Sequence, residues 1–148
     1  MSFWDSLRIG ASGLLAQRLR LDVIANNIAN AQTTRTAEGG PYQRQDVVFA
    51  AEGRPSFLPA FLAARRGDPQ TVQGGVRVAQ ITTDTQPGER IYDPTHPDAD
   101  ASGYVTYPNV NPVVEMTNML SATRSYEANL MVIEAAKRMA LKALDIAR

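Results

Sequence analysis

Apolar residues recur at helical spacing at both ends of the chain and lose that spacing in the middle. Leu7, Leu14, Leu21 and Ile28 stand every seven residues, with Trp4, Ala11, Arg18 and Ala25 three residues before each. This seam, interrupted by Arg18, predicts an amphipathic helix from Trp4 to Asn30, ~40 Å long at ~1.5 Å per residue. Ser2 followed by Asp5 fits a capping-box-like start. Gly10 and Gly13 each weaken the first half by roughly 1 kcal/mol relative to alanine. Near the other end, Met119, Tyr126, Leu130, Ile133, Ala140, Leu144 and Ala147 keep the same spacing, with Thr123 and Lys137 as breaks. Asn111-Pro112 supplies an N-cap followed by a proline at the first helical position. No glycine or proline follows, which allows a helix of ~54 Å.

The two helices differ in how far their apolar character spreads around the axis. From Ala128 to Ala147, fourteen of twenty residues are Ala, Leu, Ile, Val or Met. A helix covering one core needs only about three in seven. The excess predicts burial on more than one side, with neighbouring copies of the chain as a source of cover. An alanine-rich helix with a harmlessly exposed outer face is the simpler alternative.

All nine prolines lie between Pro41 and Pro112, and eight of the ten glycines between Gly39 and Gly103. Gly39-Gly40-Pro41 marks a turn, and Tyr42 to Phe49 reads as a short strand. Gly74-Gly75 opens a second, in which Val76 and Val78 alternate with polar positions. Pro87-Gly88 is a further turn before Arg90-Ile91-Tyr92, and Tyr104 to Tyr107 is the last strand candidate. Phe57, Leu58, Phe61 and Leu62 form a helical turn or small apolar cluster, and Arg65-Arg66-Gly67-Asp68 a solvated loop. The pairing order is not legible.

Asn26, Asn27 and Asn30 are poor helix formers because their amides compete for backbone hydrogen bonds. Either they end the first helix or they bond laterally to neighbouring helices. The one histidine, His96, lies among Asp93, Asp98 and Asp100. A metal or acid–base site is the sharper reading, but Pro and Asp are turn formers, and no second histidine completes a transition-metal site.

Fifteen basic and fifteen acidic residues cancel, and neither end carries the basic bias that nucleic-acid binding requires. A net charge of zero favours self-association. Without cysteine there is no disulfide framework, thiolate nucleophile or thiolate metal site. Met1-Ser2-Phe3-Trp4-Asp5 lacks the basic start and apolar run of a secretory signal, and no segment approaches the ~20 apolar residues of a membrane span. No phosphate loop, nucleophile elbow or metalloprotease helix occurs. No cofactor and no enzymatic activity are expected.

Ala25-Asn26-Asn27-Ile28-Ala29-Asn30-Ala31-Gln32-Thr33-Thr34 resembles the N-terminal signature of bacterial flagellar axial proteins of the rod and hook. Gly39-Gly40-Pro41-Tyr42-Gln43-Arg44, Tyr92 to Asp100, Pro108-Asn109-Val110-Asn111 and Ser125-Tyr126-Glu127-Ala128-Asn129 are similar to the FlgC-type proximal rod family. Gln32 replaces a common asparagine, and Pro112 a common aliphatic residue. The resemblance is thin only across residues 50–72.

It implies an α+β fold: long N- and C-terminal helices paired as an antiparallel coiled coil, with a small β-rich middle. Residues 1–31 and 112–148 would form the inner rod domain, and residues 32–111 the outer part. It further implies helical polymerisation into the proximal rod, a drive shaft and export-channel wall that crosses the periplasm. The implied partners are copies of the chain, other rod proteins, and ring or export-gate components, without membrane insertion. Export would run through the flagellar type III apparatus without a cleaved signal. On this basis Leu14, Leu21 and Ile28 are expected to meet Leu130, Ile133 and Leu144 within the helix pair. Asn26, Asn27 and Asn30 are expected to touch adjacent subunits, with Tyr126 also at an assembly interface. A type III-secreted helical binding or effector protein is the competing expectation, and a small metal-dependent enzyme built on His96 a third.

Overall fold

The computed structural model describes residues 3–52 and 74–146. The expected Ser2 cap, the Phe57–Leu62 cluster and the Arg65–Asp68 loop fall outside them. Helix α1 runs Phe3–Ala29 and helix α2 Pro112–Ile146. Between them lie β1 (Gln45–Ala51), β2 (Val76–Thr83), β3 (Arg90–Tyr92) and β4 (Tyr104–Thr106). The strands form two separate antiparallel pairs, β1 with β2 and β3 with β4.

The Asn111 side chain opens α2 as its sequence suggests. Its Oδ1 accepts the N–H groups of Val113 at 3.0 Å and Val114 at 3.4 Å. These are donors that a helix start would otherwise leave unpaired. At the end of α1, Asn30 works locally: its Nδ2 donates to the Asn26 carbonyl, and its Oδ1 accepts from the Thr33 hydroxyl. The chain then turns through Gly39 and Gly40, both at positive φ that other residues rarely adopt.

Strand β1 starts three residues later than the sequence suggests. Tyr42 donates its N–H to the Thr33 carbonyl, and the side chains of Tyr42 and Arg44 turn toward the helices. That segment docks on α1 and α2 before it enters the sheet. In the β1–β2 hairpin, Phe49 stands opposite Val78 and Ala51 opposite Val76, after a register shift at Val48/Phe49. Both strands pack on α1. Ser12 pins the start of β2 there, because its Oγ accepts the Val76 N–H at 3.1 Å.

The β3–β4 hairpin carries the loop around His96, and each carboxylate of that loop has a structural partner. Asp93 accepts from the N–H and hydroxyl of Thr95. Asp100 accepts from the N–H groups of Ser102 and Tyr104. Asp98 takes the Thr34 hydroxyl at 2.7 Å, which ties the loop to the turn after α1. His96 Nδ1 accepts the Asp98 N–H. The turn reading therefore accounts for these residues. No group of three potential metal ligands occurs among the described residues.

The Thr95 bonds hold the Asp93 carboxyl below its ordinary pKa, and the Tyr104 N–H does the same for Asp100. Depressed carboxyls contribute stability above the unfolded value of 3.8 and lose it as pH falls through the folded value. Amide-exchange NMR should accordingly show the Thr95 and Tyr104 N–H groups losing protection in that acid range, while α2 keeps its own.

The two helices meet along much of their length through small residues. Ala16, Val23 and Ile24 of α1 and Ala122 and Ala136 of α2 are buried. Asn27 meets Glu115, whereas Gly10 lies against Ile133 and Gly13 against Asn129. A Cβ on Gly10 would stand 2.8 Å from Ile133 Cγ1, and one on Gly13 2.8 Å from Asn129 Nδ2. The two glycines that lower intrinsic helicity thus lie where an added Cβ would collide with α2.

Candidate assembly interface

The site has two parts: a buried polar cluster where the helices join the middle, and apolar helix surface that the chain leaves uncovered. Asn27 centres the first and is 1% exposed. Its Nδ2 donates to the Gln45 carbonyl at 2.7 Å and to Glu115 Oε2 at 3.2 Å. Its Oδ1 accepts the Gln45 N–H and the Tyr42 hydroxyl, each at 3.0 Å. Both donors and both acceptors of the amide are therefore filled.

Glu115, also 1% exposed, sits in the first turn of α2, where the helix dipole favours negative charge. Arg44 Nε and Nη2 both reach its Oε1 at 2.9 Å, and Asn118 Nδ2 adds a longer bond. Partial burial acts against the Arg44 charge. The Glu115 bond and the charges of Glu115, Asp46 and Asp84 outweigh it and raise the guanidinium pKa. Burial, aided by the Glu115 charge, pushes the Tyr42 hydroxyl up.

This cluster corrects one expectation. Sequence sets Asn27 against an adjacent subunit, but the structure closes it inside its own chain. Asn30 caps its own helix, and only Asn26 of the three is exposed. Glu115, Arg44, Tyr42 and Gln45 escaped the sequence reading. A glutamate in a helix's first turn looks like ordinary dipole complementation, and nothing in Tyr42-Gln43-Arg44-Gln45 signals a partner in α2.

Among the residues expected in the helix seam, Leu14, Leu21, Ile28, Tyr126 and Ile133 are half-buried. Leu130 and Leu144 are more open, at 42% and 68% exposed. Asn129 and Ile133 face α1, and at about 100° per residue Leu130 falls to the side of that contact. Leu144 lies near the end of a helix of 35 residues packed on one of 27. Beside it an open groove runs between Ser6 and Ala136, Met139, Ala140 and Ala143. Met131, Val132, Leu141 and Ile146 also remain open. The apolar excess of the sequence is thus an apolar surface on the folded chain. No described helix is long and apolar enough to cross a membrane.

Two family models match the chain where these helices lie. Residues 7–35 match the flagella basal body rod protein family, and residues 101–146 the C-terminal region of the flagellar basal body rod FlgEFG proteins. Asn27 falls in the first match and Glu115 in the second. The chain is 46% identical to the flagellar basal-body rod protein FlgC of Borreliella burgdorferi, covering 99% of this chain and 98% of that one. It is 43% identical to FlgC of Bacillus subtilis over the full length of both. With FlgC of Salmonella typhimurium the identity is 38%, over 99% of this chain and 98% of its relative. Similarity of this extent does not favour the secreted-effector reading, and the chain belongs to the FlgC family of flagellar basal-body rod proteins.

Proposed function

We propose that this rod subunit polymerises helically into the proximal rod, with its terminal helices paired as an antiparallel coiled coil that lines the export channel. The observation that carries this is the apolar surface of α2 left open after α1 has docked, at Leu130, Met131, Val132, Met139, Leu141 and Leu144. Exposed apolar surface on this scale supports an interaction role. The next copy or a neighbouring rod protein covers it through a heterologous contact, and such contacts build a helical array where they do not close. Residues 1–31 and 112–148 form the inner part and residues 32–111 the outer part, which faces other rod proteins and the ring or export gate.

The role is structural, exerted through assembly at the basal body and requiring no cofactor. Isolated helices are marginal in water and take most of their stability from packing. A subunit of this design travels unfolded through the type III channel, without a cleaved signal, and gains its final cover on arrival. The test is complementation of a strain deleted for its own copy of this gene, with basal bodies isolated and reconstructed by electron microscopy. The chain is expected in the proximal rod with α1 and α2 innermost. Motile cells whose rods lack the chain, or rods with its hairpins innermost, would overturn the reading.

A further inference from the structure

A buried carboxylate is costly unless every bond it can make is made, and here one joins three parts of the chain that lie far apart in sequence. Asn27 comes from α1, Tyr42, Arg44 and Gln45 from the segment entering β1, and Glu115 from α2. The amide bonds both other parts at once. Its Gln45 bonds require the hairpin to be docked, and its Glu115 bond requires the helices to be together. Arg44 repeats this linkage independently of Asn27, since it belongs to the hairpin segment and pairs with α2. If either partner leaves, the other part is left with a buried donor or acceptor unpaired, or with an unpaired charge. We propose that Asn27, Tyr42, Arg44 and Glu115 form an all-or-none latch: the β1–β2 hairpin docks only on a closed helix root, and opening of either releases both. The apolar contacts of the hairpin with α1 alone would not impose this, because they involve α1 and leave α2 out. The latch is a property of the single chain and stands whether or not the rod assembles as proposed.

The substitution Asn27→Asp in the full chain reads the latch directly. One carboxylate oxygen still accepts from Gln45 N–H and Tyr42. The other replaces a donor and faces the Gln45 carbonyl and Glu115 Oε2. A proton shared by the two carboxyls relieves the repulsion between them. The charged or titratable groups facing it are Glu115 from α2, and Arg44 and Tyr42 from the β1 approach. Asp46 and Asp84 act on it through Arg44. Carboxyls sharing a site shift by more than a unit, so opening at neutral pH is expected to lower amide protection about tenfold or more. The drop must be equal for the amides of Gln45, Glu52 and Asp84 in the hairpin and for those of the first turns of α2. Protection must return near pH 5, while the unsubstituted chain stays level over the same range. Adding Glu115→Gln removes the facing carboxylate and should weaken the pH dependence, leaving only the contact with the Gln45 carbonyl. Loss confined to Gln45, with Glu52 and Asp84 still protected, would refute the latch. Should Asn27→Asp fail to fold at either pH, native-state exchange of the unsubstituted chain in low denaturant decides instead. A single shared opening of hairpin and root supports the latch, and two separate openings sink it.

Discussion

Replacing Arg44 with alanine should destabilise the folded chain by about 3–5 kcal/mol, the range for removing one partner of a buried ion pair. Arg44 makes two contacts of 2.9 Å to Glu115 Oε1, and the Glu115 carboxylate is 1% exposed. Without the guanidinium, that charge keeps only the amides of Asn27 and Asn118 and the field of the α2 start. The Arg44 side chain is itself 24% exposed, so water reaches the vacated space and the low end of the range applies. Even so, the loss is a large share of the roughly 5–15 kcal/mol that holds a domain folded. The Arg90–Asp100 pair is the internal control. At 2.7 Å it is the shorter contact, but both side chains are about half exposed. Exposed pairs contribute up to about 1 kcal/mol, so Arg90→Ala should shift a urea midpoint far less. If the two substitutions cost the same, burial does not set the worth of the Arg44–Glu115 pair.

Leu144→Asp should leave the isolated chain as stable as before and abolish the rod. At 68% exposure Leu144 contributes little to the monomer, and substitutions at such surface positions usually change stability by about 0.5 kcal/mol or less. In the proposed rod the same position would be covered. Burying an unpaired carboxylate there costs several kcal/mol after relaxation, and a helical array repeats that cost at every subunit. An unchanged urea midpoint together with loss of swimming and of isolated rods is the expected pair of results. Normal swimming would remove Leu144 from the interface. Leu130→Asp differs in a useful way. At 42% exposure Leu130 is partly covered by its own chain, so that change should weaken the monomer as well as the rod.

The ends of the chain were legible because their signals are local. Proline-free stretches, seven-residue spacing and Asn111-Pro112 predict α1 and α2 without knowledge of what they touch. The same spacing does not say which partner covers which side. Ile133 meets α1, while Leu130 and Leu144, on the same seven-residue pattern, stay largely exposed. A helix that is apolar on several sides offers more than one seam, and tertiary contact selects among them. Gly10 and Gly13 show the same division: propensity marks them as weaknesses, and only the neighbouring helix gives them a packing role. The polar cluster was the least legible part. Asn27 stood out as unusual in a helix, but its partners are distant in sequence and individually ordinary. The strands were placed to within a few residues, yet their arrangement as two separate hairpins depends on docking to α1 and on the turn at Thr34.

The central claim is that neighbouring subunits cover the apolar surface of α2. The chain contains no cysteine, so one introduced thiol reports on one position. Leu144→Cys and, as an outer reference, Thr83→Cys should both react with a maleimide in the free chain, since both positions are exposed. In purified basal bodies the thiol at position 144 should be protected while that at position 83 of the β1–β2 hairpin reacts at a higher rate. Equal, rapid labelling of both in assembled rods would contradict the account.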